Sequence, residues 1–362
     1  MLALPLVFVD FSSEKVSVQE NRMLAEYPKL ADIRNKPETF VQEFEAWFKD
    51  STGFREELLS LYKAVNKKRT NNIIQYTDGQ YTFLIGEQGH HYFAYEGGWM
   101  ISKFQGKKVL SDRQLSSMAA KLEEVKTYLE NKGIPLVIMF CTDKESIYPE
   151  FYPKSIKRGP EPIQLDQITS YFQENTSVDV FNIRKALLEE KETYLLYVVS
   201  QGDLTHYNQI GAFFTYRELM KHINIYFPQI TPYEPDDIDI SYDKIGIPDV
   251  TLKSGFTYQK LDSSFFPDLD PNQFSTKKII VYENINSDLP VILFFSDSYS
   301  SEDFIGKYFG QHFRRAIFIH YSNIRRFKEY INLFNPDIVI LESAEREIRV
   351  FANFVIEIPE LP

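Results

Sequence analysis

"VILFFSDSYS", residues 291–300, decides the fold. Val291 to Phe295 are apolar without a break, whereas a strand with one wet face alternates. An unbroken run marks a strand buried on both faces, as in a parallel sheet covered by helices. The run then turns abruptly polar at Ser296, Asp297 and Ser298, and a helical pattern follows near Glu302 to Phe309. The same grammar repeats outward in both directions. Upstream, a helix from Ser111 to Lys132 leads into a strand from Ile134 to Phe140. Then come a helix near Leu165 to Glu174, a strand from Val178 to Phe181, a helix near Ile183 to Glu190, a strand from Tyr194 to Val199 and a helix near Gln209 to Ile225. Downstream, strand Ala316 to His320, a helix around Ile324 to Leu333 and strand Ile338 to Leu341 continue the pattern. Such alternation predicts an α/β fold with a mainly parallel central sheet flanked by helices on both faces.

Two stretches break the rhythm. Residues 37–68 read as two helices joined near Thr52-Gly53, with Phe40, Phe44, Trp47 and Phe48 on one face of the first and Leu58, Leu61 and Val65 in the second. Residues 228–275, rich in Pro, Asp, Ser and Tyr, predict an irregular excursion with a few short strands. "QYTFLIGEQGHHYFAY" predicts a hairpin turning at Glu87-Gln88-Gly89. Its adjacent His90 and His91 would face opposite sides of a strand and do not readily share a metal. Within the long helix, Ser111 and Gln114 form a capping box and Gly133 a stop.

The 362 residues hold 40 basic and 51 acidic side chains, a net charge of -11, with no block of like charges. That field repels nucleic acid and anionic membranes, so no nucleic-acid partner is expected. Small basic clusters at Lys154 to Arg158 and at Arg314-Arg315 remain as local rims for an anionic partner. Cys141 is the sole cysteine, which excludes an internal disulfide and a zinc site built of several thiolates. The opening "MLALPLVFVD" has nine apolar residues, against roughly 20 for a membrane span. It predicts either a first core strand or the stub of a signal anchor, with residues 1–19 as lead-in and 20–362 as a single domain.

Chemistry is expected where strands end at the carboxyl edge of the sheet. Three ends are polar there: Tyr194 to Val199 followed by Asp203 and His206, Val291 to Phe295 followed by Ser298, and Ala316 to His320 followed by Tyr321, Ser322 and Asn323. A serine on a sharp strand-to-helix turn exposes its hydroxyl. It becomes a nucleophile only when an imidazole takes its proton and a carboxylate orients that imidazole. Asp203 and His206 are the candidates for those two roles and Ser298 for the nucleophile.

These residues resemble a known family, the SGNH-hydrolase-like O-acetyltransferases of bacterial exopolysaccharide export, of which the alginate O-acetyltransferases are familiar members. "ENRMLAEYPKL" (20–30), "CTDKESIYPEFYP" (141–153), "GDLTHYNQIGAF" (202–213), "LFFSDSYS" (293–300) and "NPDIVILESAERE" (335–347) carry the likeness. The resemblance implies an SGNH-hydrolase-like sandwich in the permuted order, acid and histidine before serine. It assigns Ser298 as nucleophile, His206 as base and Asp203 as orienting carboxylate. Lys144 and Tyr148 fall at matched positions, either lining the cleft or holding its wall, and Arg346 is read as pairing with Glu342 ahead of clamping substrate. Oxyanion donors are the Ser298 amide, with Tyr321 and Asn323 as additions. Three departures stand out: the acid and histidine are three apart instead of two, Tyr207 follows instead of Trp, and Ser296 replaces a glycine.

The activity so implied is transfer of an acetyl group through a serine acyl-enzyme onto hydroxyls of an exported bacterial polysaccharide, with no bound cofactor or metal. The alternatives are a carbohydrate acetylesterase of the same fold and a catalytically inactive glycan-binding or assembly subunit, the latter favoured by the altered spacing. The family's habits further imply an acetyl donor delivered by a membrane-bound acyltransferase partner. They also imply an extracytoplasmic location, anchored by a segment preceding Met1.

Overall fold

The computed structural model describes residues 16–17, 22–23, 25–29, 37–51, 74–78, 81–94, 99–107, 110–261, 279–300 and 304–361. Two compact units divide the chain, residues 1–74 and 75–362. In the first, the helix Pro37–Asp50 forms where aromatic spacing predicts it. Phe40, Phe44 and Phe48 stack along one face, and Trp47 receives the edge of Tyr27 at 4.6 Å. The second helix read from Leu58 to Val65, the lead-in before Val16 and the hinge at Gly53 lie outside the described residues.

The second unit is built on seven strands: β1 (Leu136–Cys141), β2 (Asp179–Asn182), β3 (Tyr258–Leu261), β4 (Ile279–Asn284), β5 (Val291–Ser296), β6 (Arg315–His320) and β7 (Ile338–Ala344). Their order across the sheet is β3-β4-β6-β5-β7-β1-β2. The pairs β6/β5, β5/β7, β7/β1 and β1/β2 are parallel, and β3/β4 and β4/β6 antiparallel. The mainly parallel sheet expected from the unbroken apolar runs is therefore present. Every residue of β1, β5 and β7 is buried, which is why none of them alternates.

Helices α1 (Asp112–Glu130), α2 (Gln164–Asn175), α3 (Arg184–Glu190), α4 (Gln209–Ile223), α5 (Gly306–His312), α6 (Phe327–Phe334) and α7 (Ile348–Ile356) cover the sheet. Odd and even strand residues divide between two cores. Ile138, Phe140, Leu293, Phe295, Val339 and Leu341 pack with α1, α2, α6 and α7. Val137, Met139, Ile292, Phe294, Ile338 and Ile340 pack with α3, α4 and α5. The capping box of Ser111 and Gln114 opens α1. Strands Tyr81–Ile85 and His91–Phe93 pair antiparallel around Glu87–Gly89 as expected. The excursion after residue 228 holds a hairpin of Ile238–Tyr242 with Pro248–Leu252.

One expectation needs correction. Residues 194–199 are not a strand, although Leu196, Tyr197 and Val198 are buried. Their backbone groups are met one at a time, largely by side chains. Asn208 Nδ2 donates to Leu195 O at 2.6 Å, the Tyr148 hydroxyl accepts from Leu196 N at 3.1 Å, and Lys144 Nζ donates to the carbonyls of Val198 and Val199 at 2.6 and 3.0 Å. Burial made the run apolar, and burial without a neighbouring ladder reads the same in sequence. The described helix after β5 runs from Gly306 to His312, and the start expected near Glu302 lies outside the described residues.

Candidate active site

The turn after β5 is assembled by carboxyls. Asp297 Oδ1 accepts from Tyr299 N at 2.9 Å and Oδ2 accepts from Ala344 N at 2.6 Å, tying the turn to the end of β7. Asp297 N donates in turn to Glu342 Oε2 at 3.2 Å. Burial pushes both carboxyls up, and Glu342, with Asp297 beside it, lies well above the usual range. Between buried Asp297 and buried Tyr299, Ser298 alone is exposed. The fold therefore presents one hydroxyl at the carboxyl edge.

Facing it is the loop before α4. Gly202 adopts φ +85°, a left-handed conformation that turns the chain out of the 194–199 segment. Asp203 Oδ1 then accepts from Thr205 N at 2.8 Å and from Thr205 Oγ1 at 2.6 Å, a local turn closed by side chain. The turn folds the three-residue spacing back on itself, so Asp203 Oδ2 lies 2.7 Å from His206 Nδ1. The far ring nitrogen, Nε2, lies 2.7 Å from Ser298 Oγ. Thr205 Oγ1 also sits 2.9 Å from Nδ1, so the intervening threonine braces both partners. Burial would raise the Asp203 carboxyl, but the hydrogen bond and charge of His206, with the Thr205 contacts, hold it well below the usual carboxylate range.

Neighbouring side chains fix the imidazole plane. Tyr299 meets it edge-on at 4.9 Å and Phe304 lies at 5.4 Å. Tyr207 is fully buried and donates its hydroxyl to Tyr299 O at 2.5 Å, joining the histidine segment to the serine segment. Asn208 caps α4, accepting from Ile210 N and Gly211 N. Gly211 leaves room for that docking: a Cβ there would stand 2.6 Å from Leu196 O.

The remaining sequence candidates divide. Arg346 does not pair with Glu342. Its Nη1 donates to Asp143 Oδ1 and to Thr205 O, each at 2.7 Å, and to the Tyr299 hydroxyl at 3.1 Å. The three-residue 3-10 turn Glu345–Glu347 that follows β7 carries the guanidinium toward Asp143, which the i,i+4 rule for a helix does not anticipate. Lys144 and Tyr148 hold the wall instead of lining the cleft: both are buried and both bind backbone of the 194–199 segment. Burial pulls the Lys144 amine down to about 7. Tyr321 is buried against Phe351 and Phe354. Asn323 follows β6, whose His320 pairs with Ser296 of β5, and its Nδ2 is a buried donor with no partner among the described residues. His90 stacks on Phe151 at 4.2 Å, away from any ligand cluster among the described residues.

Sequence reasoning missed Thr205, Asp143 and Lys103. Lys103 is buried between Asp143, Glu145 and Glu345 at 2.6, 2.9 and 3.4 Å, so five charged side chains, with Arg346, form one dry network behind the histidine loop. "CTDKES" following β1 was its only local signal.

Residues 96–237 match the family model described as the SGNH hydrolase-like domain of acetyltransferase AlgX. The matched segment contains Asp203 and His206, and it makes the resemblance read from the sequence a finding. No curated protein matches the chain. Bacillus cereus PatB1, solved also with a sulfonyl adduct, is similar at 13% identity and TM-score 0.50, covering 76% of this chain and 97% of that one. A DHHW family protein from Eubacterium siraeum DSM 15702 is 12% identical with TM-score 0.53, covering 79% and 98%. At such identities these likenesses concern the fold alone.

Proposed function

We propose that this chain, matched over residues 96–237 by the SGNH hydrolase-like acetyltransferase model, is a serine O-acetyltransferase acting on hydroxyls of an exported bacterial polysaccharide. One observation carries the reading: Asp203, His206 and the exposed Ser298 stand in a single hydrogen-bonded line with both ring contacts at 2.7 Å. Ser298 Oγ attacks the acetyl carbonyl carbon while His206 Nε2 takes its proton, and Asp203 stabilises the resulting imidazolium. The tetrahedral oxyanion is held by the Ser298 amide and by Asn323 Nδ2. Its collapse breaks the bond to the donor's leaving oxygen, which receives the proton from His206. An acceptor hydroxyl then loses its proton to His206 as it attacks the acyl-enzyme, and collapse returns Ser298 with its proton.

The acetyl donor is delivered by a membrane-bound acyltransferase partner, and the chain works outside the cytoplasm. Among the described residues no helix is long and apolar enough to cross a membrane. The inactive-subunit reading drew on the three-residue Asp203 to His206 spacing, and the Thr205 turn removes that support. Hydrolysis by water remains the competing fate of the acyl-enzyme, because Ser298 is exposed.

Ser298→Ala is expected to abolish both acetyl-ester turnover and the 42 Da acyl adduct on intact-mass analysis, acetyl being C2H2O added to the hydroxyl. Full activity in that variant ends the proposal. Acceptor glycans that accelerate loss of the adduct mark a transferase, and indifference to every glycan marks an esterase.

A further inference from the structure

The carboxyl edge carries a second recess, displaced from the serine turn by two strands in the order β5-β7-β1. About 520 Å³ of empty space, its open mouth included, is enclosed by residues following β1 and β7 and by the start of α2. The interior alone is small, about 50 Å³, room for a group the size of a carboxylate. Its chemistry is asymmetric. One wall is the first turn of α2, where Ile163 stands at the capping position and has no oxygen to offer the leading amides. Gln164, the first helical residue, is only 7% exposed, yet its Nε2 has no partner. A buried amide donor left open is unfavourable, so a site that supplies an acceptor recovers that cost. The helix start adds positive potential at the same place.

Arg158 stands at the mouth with one third of its side chain exposed. Its Nη2 is held by Glu161 at 2.6 Å, and among the described residues no other salt bridge leaves its fork. The opposite wall holds Glu145 and Glu345. Both lie on Lys103, and Glu345 also accepts from Ser146 Oγ at 2.9 Å and from Asp143 N at 3.2 Å. Those two carboxyls repel any anion, a doubly charged one more than a singly charged one, and Lys103, which lines the recess between them, offsets that repulsion. Gly159, whose amide donates to Phe104 O, forms part of the lining, and a Cβ there would meet Gln105 at 2.7 Å.

We propose that this recess binds a small monocarboxylate, whose oxygens accept from Gln164 Nε2 and the first amides of α2 while Arg158 closes over it. The same chemistry can come from a free short-chain acid or from the carboxylate of an acidic sugar. Neither Gln164 nor Arg158 bonds to Asp203, His206 or Ser298, so the inference stands apart from the proposed reaction.

The test titrates the full chain at fixed ionic strength with sodium acetate, sodium glucuronate, glucose and sodium phosphate, read by calorimetry and thermal shift. Binding of acetate or glucuronate, weakened at least tenfold in Gln164→Leu and in Arg158→Ala, supports the site. Acetate alone identifies a free acid, and glucuronate alone an acidic sugar. Phosphate or glucose binding as tightly as either carboxylate overturns it. So does carboxylate binding unchanged in both variants, or no binding of either carboxylate. Each variant is checked for wild-type acetyl-ester turnover as a sign of folding. Should Gln164→Leu not fold, the side-chain amide resonance of Gln164 in the wild-type chain carries the test, and a resonance that does not move on carboxylate addition overturns the site.

Discussion

At the scale of single residues, the histidine is worth little without its brace. Asp203 and Thr205 divide the work: the carboxylate fixes the tautomer, and the threonine fixes the carboxylate. Asp203→Asn is therefore expected to cut turnover by about 10⁴-fold, as a wrong tautomer does in other triads. Thr205→Val removes the hydroxyl's charge-assisted bond to Asp203 but leaves the Thr205 amide on the same carboxylate, and should cost about 10- to 30-fold. Steady-state kinetics on a small acetyl ester separates the two, and equal losses would refute this division. Asp203, His206 and Ser298 were legible in the sequence because each follows a long apolar run with an abrupt polar turn. The partner of Arg346 was not, since Asp143 lies 203 positions away and only the parallel register of β7 with β1 brings them together. Local spacing pointed to Glu342, which instead caps the serine turn from below.

At the scale of elements, burial rather than pattern controlled what could be read. The runs that became β1, β5 and β7 are apolar because both faces are covered, and their strand character followed directly. Residues 194–199 are equally apolar, but what pairs with them is a lysine amine, a tyrosine hydroxyl and an asparagine amide from distant positions. Lys144 is the principal tether, donating to the carbonyls of His91, Val198 and Val199. Lys144→Met should destabilise the protein by about 2 kcal/mol, since it leaves the buried Val198 carbonyl without its donor. Urea unfolding measures that, and hydrogen exchange should quicken first at the amides of residues 194–206. A variant as stable as the parent would show that water replaces the amine. Helix α7 was overlooked in the sequence because "ESAERE" before it carries so many charges. Those charges belong to the buried network and to the turn ahead of the helix.

At the scale of the whole molecule, the dry charge network ties the ends of β1 and β7 to Lys103 and so couples stability to pH. Burial, with Asp143 and Glu345 nearby, holds the Glu145 carboxyl up to about 7, against the opposing pull of Lys103. In the unfolded chain it ionises near the ordinary value of about 4.3. The folded state thus binds more protons between those values, and the stability this group contributes is complete below pH 4 and drains away as pH climbs through 7. Relative to Glu145→Gln, which cannot ionise, the parent should lose stability steadily from pH 4.5 to 7.5 in urea titrations. A rising difference over that window would reverse the assignment. Further along β1 lies the chain's one thiol, Cys141, fully buried opposite Ala344, with burial and the adjoining Glu342 and Asp297 carboxyls pushing its ionisation up. An alkylating reagent reaches that sulfur only when the carboxyl end of β1 parts from β7, so the rate of labelling in native buffer is a clock for that opening, with one tick per molecule.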